Sequence, residues 1–132
     1  MLSACDTVYV VDPDEAVHEA LAALLQSAGV RVAGYRTPEA FLNACATPPA
    51  RNCCALVEAD LSGIGSLALI RELQAKVPDM PIIVLASTVD SHIAAQALKA
   101  GAIDVIDKPL IGPHLLDRIL GVAVTARHAT SL

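Results

Sequence analysis

Apolar residues along the chain follow two rhythms, and the alternation between them predicts the fold. Short β-branched or aliphatic runs come at Val8-Tyr9-Val10-Val11, Cys53-Cys54-Ala55-Leu56-Val57, Pro81-Ile82-Ile83-Val84-Leu85 and Ile103-Asp104-Val105-Ile106, and they read as buried strands. Val30-Arg31-Val32-Ala33-Gly34 alternates instead, as an edge strand does. Between these runs apolar positions return every three or four residues, the spacing of helices with one buried face. Val17, Leu21, Leu24, Leu25 and Ala28 make the first such face, closed by Gly29. Thr37-Pro38 opens the second helix, with Thr37 as N-cap and Pro38 at the first position. The third begins at Ser66 or Leu67, turns Leu67, Ile70, Leu73 and Val77 inward and stops at Pro78. The fourth carries Ile93, Ala94, Ala97 and Leu98 and ends at Gly101. The fifth runs from about Pro113, with Leu116, Ile119, Leu120 and Ala123 inward. Thr47 to Asn52 reads as a surface loop, and the residues past Arg127 as a frayed tail.

Five strands alternating with five helices require an α/β fold with a mostly parallel sheet covered on both faces. Right-handed crossovers make the sheet doubly wound, and the flavodoxin-like strand order 2-1-3-4-5 is the expected arrangement. In that order the tips of the first and third strands are neighbours at the switch point, where open sheets place their ligands. Asp12, Asp14 and Glu58 then converge, with Ala86, Ser87 and Lys108 along the same rim. A carboxylate at such a tip is costly unless a cation or hydrogen bonds meet it, so Glu58 needs a partner.

Composition narrows the function classes. The 132 residues suit one domain, and with 55% apolar residues but two Tyr, one Phe and no Trp the core must be aliphatic. A net charge of −5 argues against nucleic acid or an anionic membrane as a direct partner. No apolar run approaches the roughly 20 residues that span a bilayer. Met-Leu-Ser-Ala-Cys-Asp lacks the charged and apolar regions of a signal peptide, so a cytoplasmic protein is expected. Cys5, Cys45, Cys53 and Cys54 form no Cys-x-x-Cys pair and have no His at zinc-ligand spacing, so they read as small hydrophobes. His18, His92, His114 and His128 fall on polar faces and read as solvated surface.

Three segments carry a family resemblance. Val-Tyr-Val-Val-Asp-Pro-Asp-Glu (8–15), Pro-Ile-Ile-Val-Leu-Ala-Ser (81–87) and Lys-Ala-Gly-Ala-Ile-Asp-Val-Ile-Asp-Lys-Pro (99–109) resemble the receiver domain of two-component response regulators, above all those with a LuxR-type DNA-binding domain behind the receiver. The likeness runs from Val8 to about Ala123, which implies a receiver domain over 1–124 and a tail or the start of a linker over 125–132. In that family a sensor kinase's phosphohistidine donates a phosphoryl group to an aspartate at the third strand tip. Two acidic residues after the first strand hold Mg²⁺, a Thr or Ser at the fourth tip binds the phosphate, and a Lys at the fifth tip pairs with it. The Lys-Pro bond is cis in the family, which would aim Lys108 inward through Pro109.

Set against that pattern, this sequence departs at most positions. Asp12 matches the first acidic position, but Pro13 stands at the second and Asp14 follows one place late. Counting back from Arg71-Glu72-Leu73 puts Glu58 at the phosphoacceptor position, and the spacings to Lys108 and to Ala86 fit the family. Ala86 then holds the hydroxyl position, with Ser87 beside it, and Val105 the aromatic switch position. Mg²⁺ wants near-ideal octahedral oxygen geometry, so a site of Asp12, Asp14 and Glu58 is weakened or lost. A glutamate also sets the nucleophile one methylene too far out for phosphoryl transfer. A Glu58–Lys108 ion pair remains, worth roughly 4 kcal/mol at ~4 Å and an effective dielectric near 20, before desolvation is subtracted. The expectation is a pseudo-receiver with no cofactor, in which Glu58 imitates the charge of phosphoaspartate permanently.

Other readings stay open at this point. Asp12 could serve only as the N-cap of the first helix, with Pro13 at N1 and Glu15 reaching back as capping-box partner. Asp60 is a second candidate phosphoacceptor. Val-Val-Asp-Pro-Asp also resembles the Asp-x-Asp loop of haloacid-dehalogenase-like phosphatases, with Asp12 as nucleophile and Asp14 as general acid, although Lys108 follows the acidic pair Asp104 and Asp107 instead of preceding it. A flavodoxin-like cofactor carrier is disfavoured, because the acidic Pro13-Asp14-Glu15 would repel phosphate. As a receiver the chain would work by contact with a sensor kinase, an output domain or a second copy. The face of the fourth helix, fifth strand and fifth helix would be used, where His92, Ala95, Gln96, Lys99, Leu110 and Ile111 leave few charges.

Overall fold

Strand pairing follows from where the apolar runs fall. The computed structural model describes residues 7–45, 54–61, 65–87, 91–108, 115–119 and 121. Strands and helices alternate as β1 (Thr7–Val11), α1 (Glu15–Gln26), β2 (Arg31–Tyr35), α2 (Pro38–Ala44), β3 (Cys54–Glu58), α3 (Gly65–Lys76), β4 (Ile82–Ala86), α4 (Ser91–Ala100) and β5 (Asp104–Asp107). A further helical stretch covers 115–119. The strands pair in parallel in the order β2-β1-β3-β4-β5, the doubly wound arrangement read from the sequence. The loop expected at 47–52, most of the fifth helix and the tail past Arg127 lie outside the described residues.

Strand alternation sorts the core into two layers. Val8 and Val10, Leu56, Ile83 and Leu85, and Ile106 face one side, where Leu21 and Leu25 of α1 and Leu115 and Ile119 of the later helical stretch cover them. Val11, Ala55 and Val57, Ile82 and Val84 face the other, under Phe41 of α2, Leu69, Ile70 and Leu73 of α3, and Ala97 of α4. Tyr9, Tyr35 and Phe41 meet on that second side, with ring centroids 5.1–6.4 Å apart. At about 25 cal/mol per Å² of apolar surface, these two layers are the main source of stability.

The strands β2, β4 and β5 each end one residue later than their apolar runs suggest, and β3 includes Glu58 itself. Pairing continues because neighbouring backbones offer partners whatever the side chain: Tyr35 pairs with Val11, Glu58 with Leu85, and Ala86 with Asp107. Two helix faces also differ from expectation. In α3, Leu69 joins Ile70 and Leu73 in the core, while Leu67 and Val77 are only half-buried. In α4, Leu98 is exposed, as is Ile103 just beyond the helix, because Ala97 and Ala102 take the inward positions.

The start of α1 corrects the alternative for Asp12. Asp14, not Asp12, is the N-cap, and its side chain accepts the Ala16 N–H at 2.9 Å. Pro13 stands outside the helix, and Glu15 pairs with Arg36 instead of reaching back to a cap. At α2, Thr37 caps by accepting the Ala40 N–H at 3.1 Å, with Pro38 in the first turn. Beyond the α1 C-cap Ser27, Gly29 turns the chain toward β2 at φ 78°, a left-handed conformation that glycine adopts without penalty.

Candidate functional site

Parallel pairing with order 2-1-3-4-5 sets the carboxyl ends of β1, β3 and β5 along one rim. Asp12 follows β1, Glu58 closes β3 and Lys108 follows β5. Each stands two residues after a core residue of the same sheet side, namely Val10, Leu56 and Ile106. Strand alternation therefore turns all three toward the same side of the sheet. Backbone bonds fix their positions: Asp12 N–H donates to Tyr35 O at 3.0 Å, Ala59 N–H to Leu85 O at 2.8 Å, and Lys108 N–H to Ala86 O at 2.8 Å.

The three side chains meet. Asp12 is 1% exposed and Glu58 6%. Lys108 Nζ donates to Asp12 Oδ2 at 2.7 Å and forms an ion pair with Glu58 Oε2. The remaining oxygens face backbone donors: Asp12 Oδ1 accepts the Asp14 N–H at 2.8 Å, and Glu58 Oε1 accepts the Asp60 N–H at 3.1 Å. Glu58 Oε2 takes no hydrogen bond of ordinary geometry from the described residues, so its partner is the lysine charge. Two buried carboxylates thus share one ammonium group. Burial would lower the Lys108 pKa, but its contacts with the Asp12 and Glu58 carboxylates outweigh it, and the ammonium is held above its ordinary value.

Not every residue singled out in the sequence joins this cluster. Asp14 is exposed, and its carboxylate serves the helix start, so only its N–H enters the site. This also separates the Asp12–Asp14 pair that a phosphatase loop would need. Asp60 is exposed beyond the strand end and likewise contributes its N–H. Ala86 is buried at the tip of β4 and Ser87 is exposed, so the hydroxyl does not take the place of the missing one. Val105 is half-buried against the second core layer, its strand end tied down by Arg118, which donates to Val105 O at 3.1 Å and to both carboxylate oxygens of Asp104. Pro109 lies outside the described residues.

One participant was assigned wrongly from sequence. His18 is not solvated surface: its Nε2 lies 2.7 Å from Asp12 O. A carbonyl can only accept, so Nε2 carries the proton. The imidazole rests against Gly34 of β2, where a Cβ would overlap it. The signal available in the sequence was the glycine within the edge strand, which marks close approach by another group. Cys54 is buried as expected, whereas Cys45 is half-buried, and burial raises its thiol pKa against the opposing charge of Lys76, which leaves little thiolate.

An octahedral ion needs several free oxygens, yet all four carboxylate oxygens of Asp12 and Glu58 already face internal donors. Among the described residues no three His, Cys, Asp or Glu side chains are grouped to hold a metal. No described helix is long and apolar enough to cross a membrane.

The sequence profile of the response regulator receiver domain matches residues 8–120. The transcriptional regulatory protein FixJ of Azorhizobium caulinodans is 38% identical over 102 residues, which cover 77% of this chain and 47% of that protein. The crystal structure of FixJ-N superimposes with a TM-score of 0.76 at 30% identity, covering 90% of this chain and 93% of that one. Full-length FixJ from B. japonicum gives a TM-score of 0.84 at 28% identity, covering 96% of this chain and 61% of that one. The chain spans about half the length of the first curated relatives it matches.

Proposed function

Because the chain belongs to the response regulator receiver family of two-component signalling, we propose that it is a receiver whose state is set by the Glu58–Lys108 pair and not by phosphoryl transfer. The observation that carries this reading is the buried contact between the Glu58 carboxylate and the Lys108 ammonium at the strand rim. A receiver's phosphoryl group brings negative charge to the tip of the third strand and is met there by the lysine. Here a glutamate brings a negative charge of its own, and the lysine already meets it.

Two further substitutions support a fixed state. Ala86 has no hydroxyl with which to follow a phosphate, and Val105 has no aromatic ring to swing between inward and outward positions. Output is then by contact. The α4–β5 face offers Leu98 and Ile103, 50% and 48% exposed, beside the exposed His92, Ala95, Gln96 and Lys99. Leu110 and Ile111 lie outside the described residues. An output domain, a sensor kinase or a second copy of the chain would dock there, and the site of action is the cytoplasm. Named relatives are transcriptional regulators, so the role is in regulation and not in turnover of a substrate.

Incubation with acetyl phosphate and MgCl₂, followed by intact-mass analysis, tests the proposal. The expected result is an unmodified chain. A phosphoryl adduct mapped to Glu58 or to Asp60 would overturn it, and the mapped residue would say which carboxylate accepts.

A further inference from the structure

We propose that Lys108 is the pocket's resident cation, taking the place that a divalent metal would hold, so that this chain neither binds Mg²⁺ at the rim nor depends on it. The inference deepens the reading of the site given above, but it concerns cation balance and is separable from phosphoryl acceptance.

Three of the four carboxylate oxygens at the rim accept a hydrogen bond from within, and the fourth, Glu58 Oε2, faces the lysine charge. Two carboxylates, 1% and 6% exposed, present four oxygens. Lys108 takes one from each residue, and the N–H groups of Asp14 and Asp60 take the other two. The next backbone oxygen, that of Asp12 itself, is held by His18. A metal entering here would have to displace an ammonium group and turn two N–H donors away from their acceptors. It would also shed tightly held water, which Mg²⁺ does reluctantly.

The sequence removes the usual reward for doing so. Pro13 stands where a second carboxylate would face the ion, and Asp14, the next acid, is turned to the start of α1. The ammonium faces both carboxylates, and the two N–H groups face their other oxygens. A lone ammonium is a compact point charge that can touch two oxygens at once. It therefore balances a pair of carboxylates without an octahedral shell.

Titration of the protein with MgCl₂ and with MnCl₂, followed by amide NMR and thermal unfolding, tests the inference. In the wild-type chain the amides of Asp14, Glu58 and Asp60 are expected to show no saturable shift with Mg²⁺ and no selective broadening by Mn²⁺, and Tm is expected to be equal in MgCl₂ and EDTA. In Lys108→Met the two carboxylates lose their counter-ion, and Mg²⁺ is expected to raise Tm and to bind at least tenfold more tightly than to wild type. Saturable Mg²⁺ binding at these amides in the wild-type chain would overturn the inference. So would a folded Lys108→Met variant that is indifferent to the ion. If the variant is recovered unfolded, the wild-type titration decides alone. A wild-type chain that binds Mg²⁺ yet resists acetyl phosphate would sink this inference and leave the proposed function standing. A chain modified by acetyl phosphate at Glu58 or Asp60 would sink the proposed function, whatever the titration shows.

Discussion

Lys108 carries two buried carboxylates on one ammonium group, so its removal is the most consequential single change at the rim. Lys108→Met would leave Asp12 and Glu58 uncompensated, and the expected loss is about 3–5 kcal/mol in urea unfolding. The same pair has a pH signature. Because the folded-state pKa of Lys108 lies above its ordinary value of 10.5, its stabilising contribution is complete below that value and is lost as pH rises through the folded pKa. Stability measured from pH 8 to pH 12 should therefore fall more steeply for wild type than for Lys108→Met. At this scale the sequence was a good guide to Asp12, Glu58 and Lys108, because strand alternation and strand order alone bring them together. It misjudged Asp14 and His18. Both act through local hydrogen bonds, a helix cap and a bond to a carbonyl, that the periodicity of apolar residues does not encode.

Elements were legible wherever an apolar run was long enough, and their ends were not. The added residues Tyr35, Ala86 and Asp107 belong to strands because the neighbouring backbone pairs with them, which is a property of the sheet and not of the run. Helix starts show the reverse at one site only: Thr37-Pro38 was read correctly from the side chains, while the cap considered for α1 was Asp12 and the cap observed is Asp14. Asp14→Ala should cost about 1 kcal/mol through loss of the α1 cap. The link between α1 and β2 gives a stronger test. Gly34→Ala would push the His18 imidazole from its seat and break its bond to Asp12 O, at an expected cost of about 1–3 kcal/mol. Adding His18→Ala to Gly34→Ala should recover part of that loss, because the overlap is gone. If instead the two losses simply add, His18 and Gly34 are not packed against each other.

For the molecule as a whole, a doubly wound sheet with two apolar layers, the second carrying the Tyr9–Tyr35–Phe41 cluster, holds the rim in place from both sides. The overall architecture was readable because parallel sheets need covering on both faces, and the spacing of apolar residues supplied five strands with helices between them. The proposed docking face was only partly readable: Ala97 and Leu98 both belong to the apolar positions of the fourth helix, but Ala97 is buried and Leu98 is half exposed. Being half exposed, Leu98→Lys and Ile103→Lys should change stability by no more than about 0.5 kcal/mol. Both should weaken binding at that face, seen as a shift in sedimentation equilibrium if the partner is a second copy. The central claim, that Glu58 and Lys108 act as one coupled unit, is tested most directly by a double-mutant cycle of Glu58→Gln and Lys108→Met read by urea unfolding. The account predicts a favourable coupling of at least about 1 kcal/mol, whereas losses that add to within about 0.3 kcal/mol would contradict it.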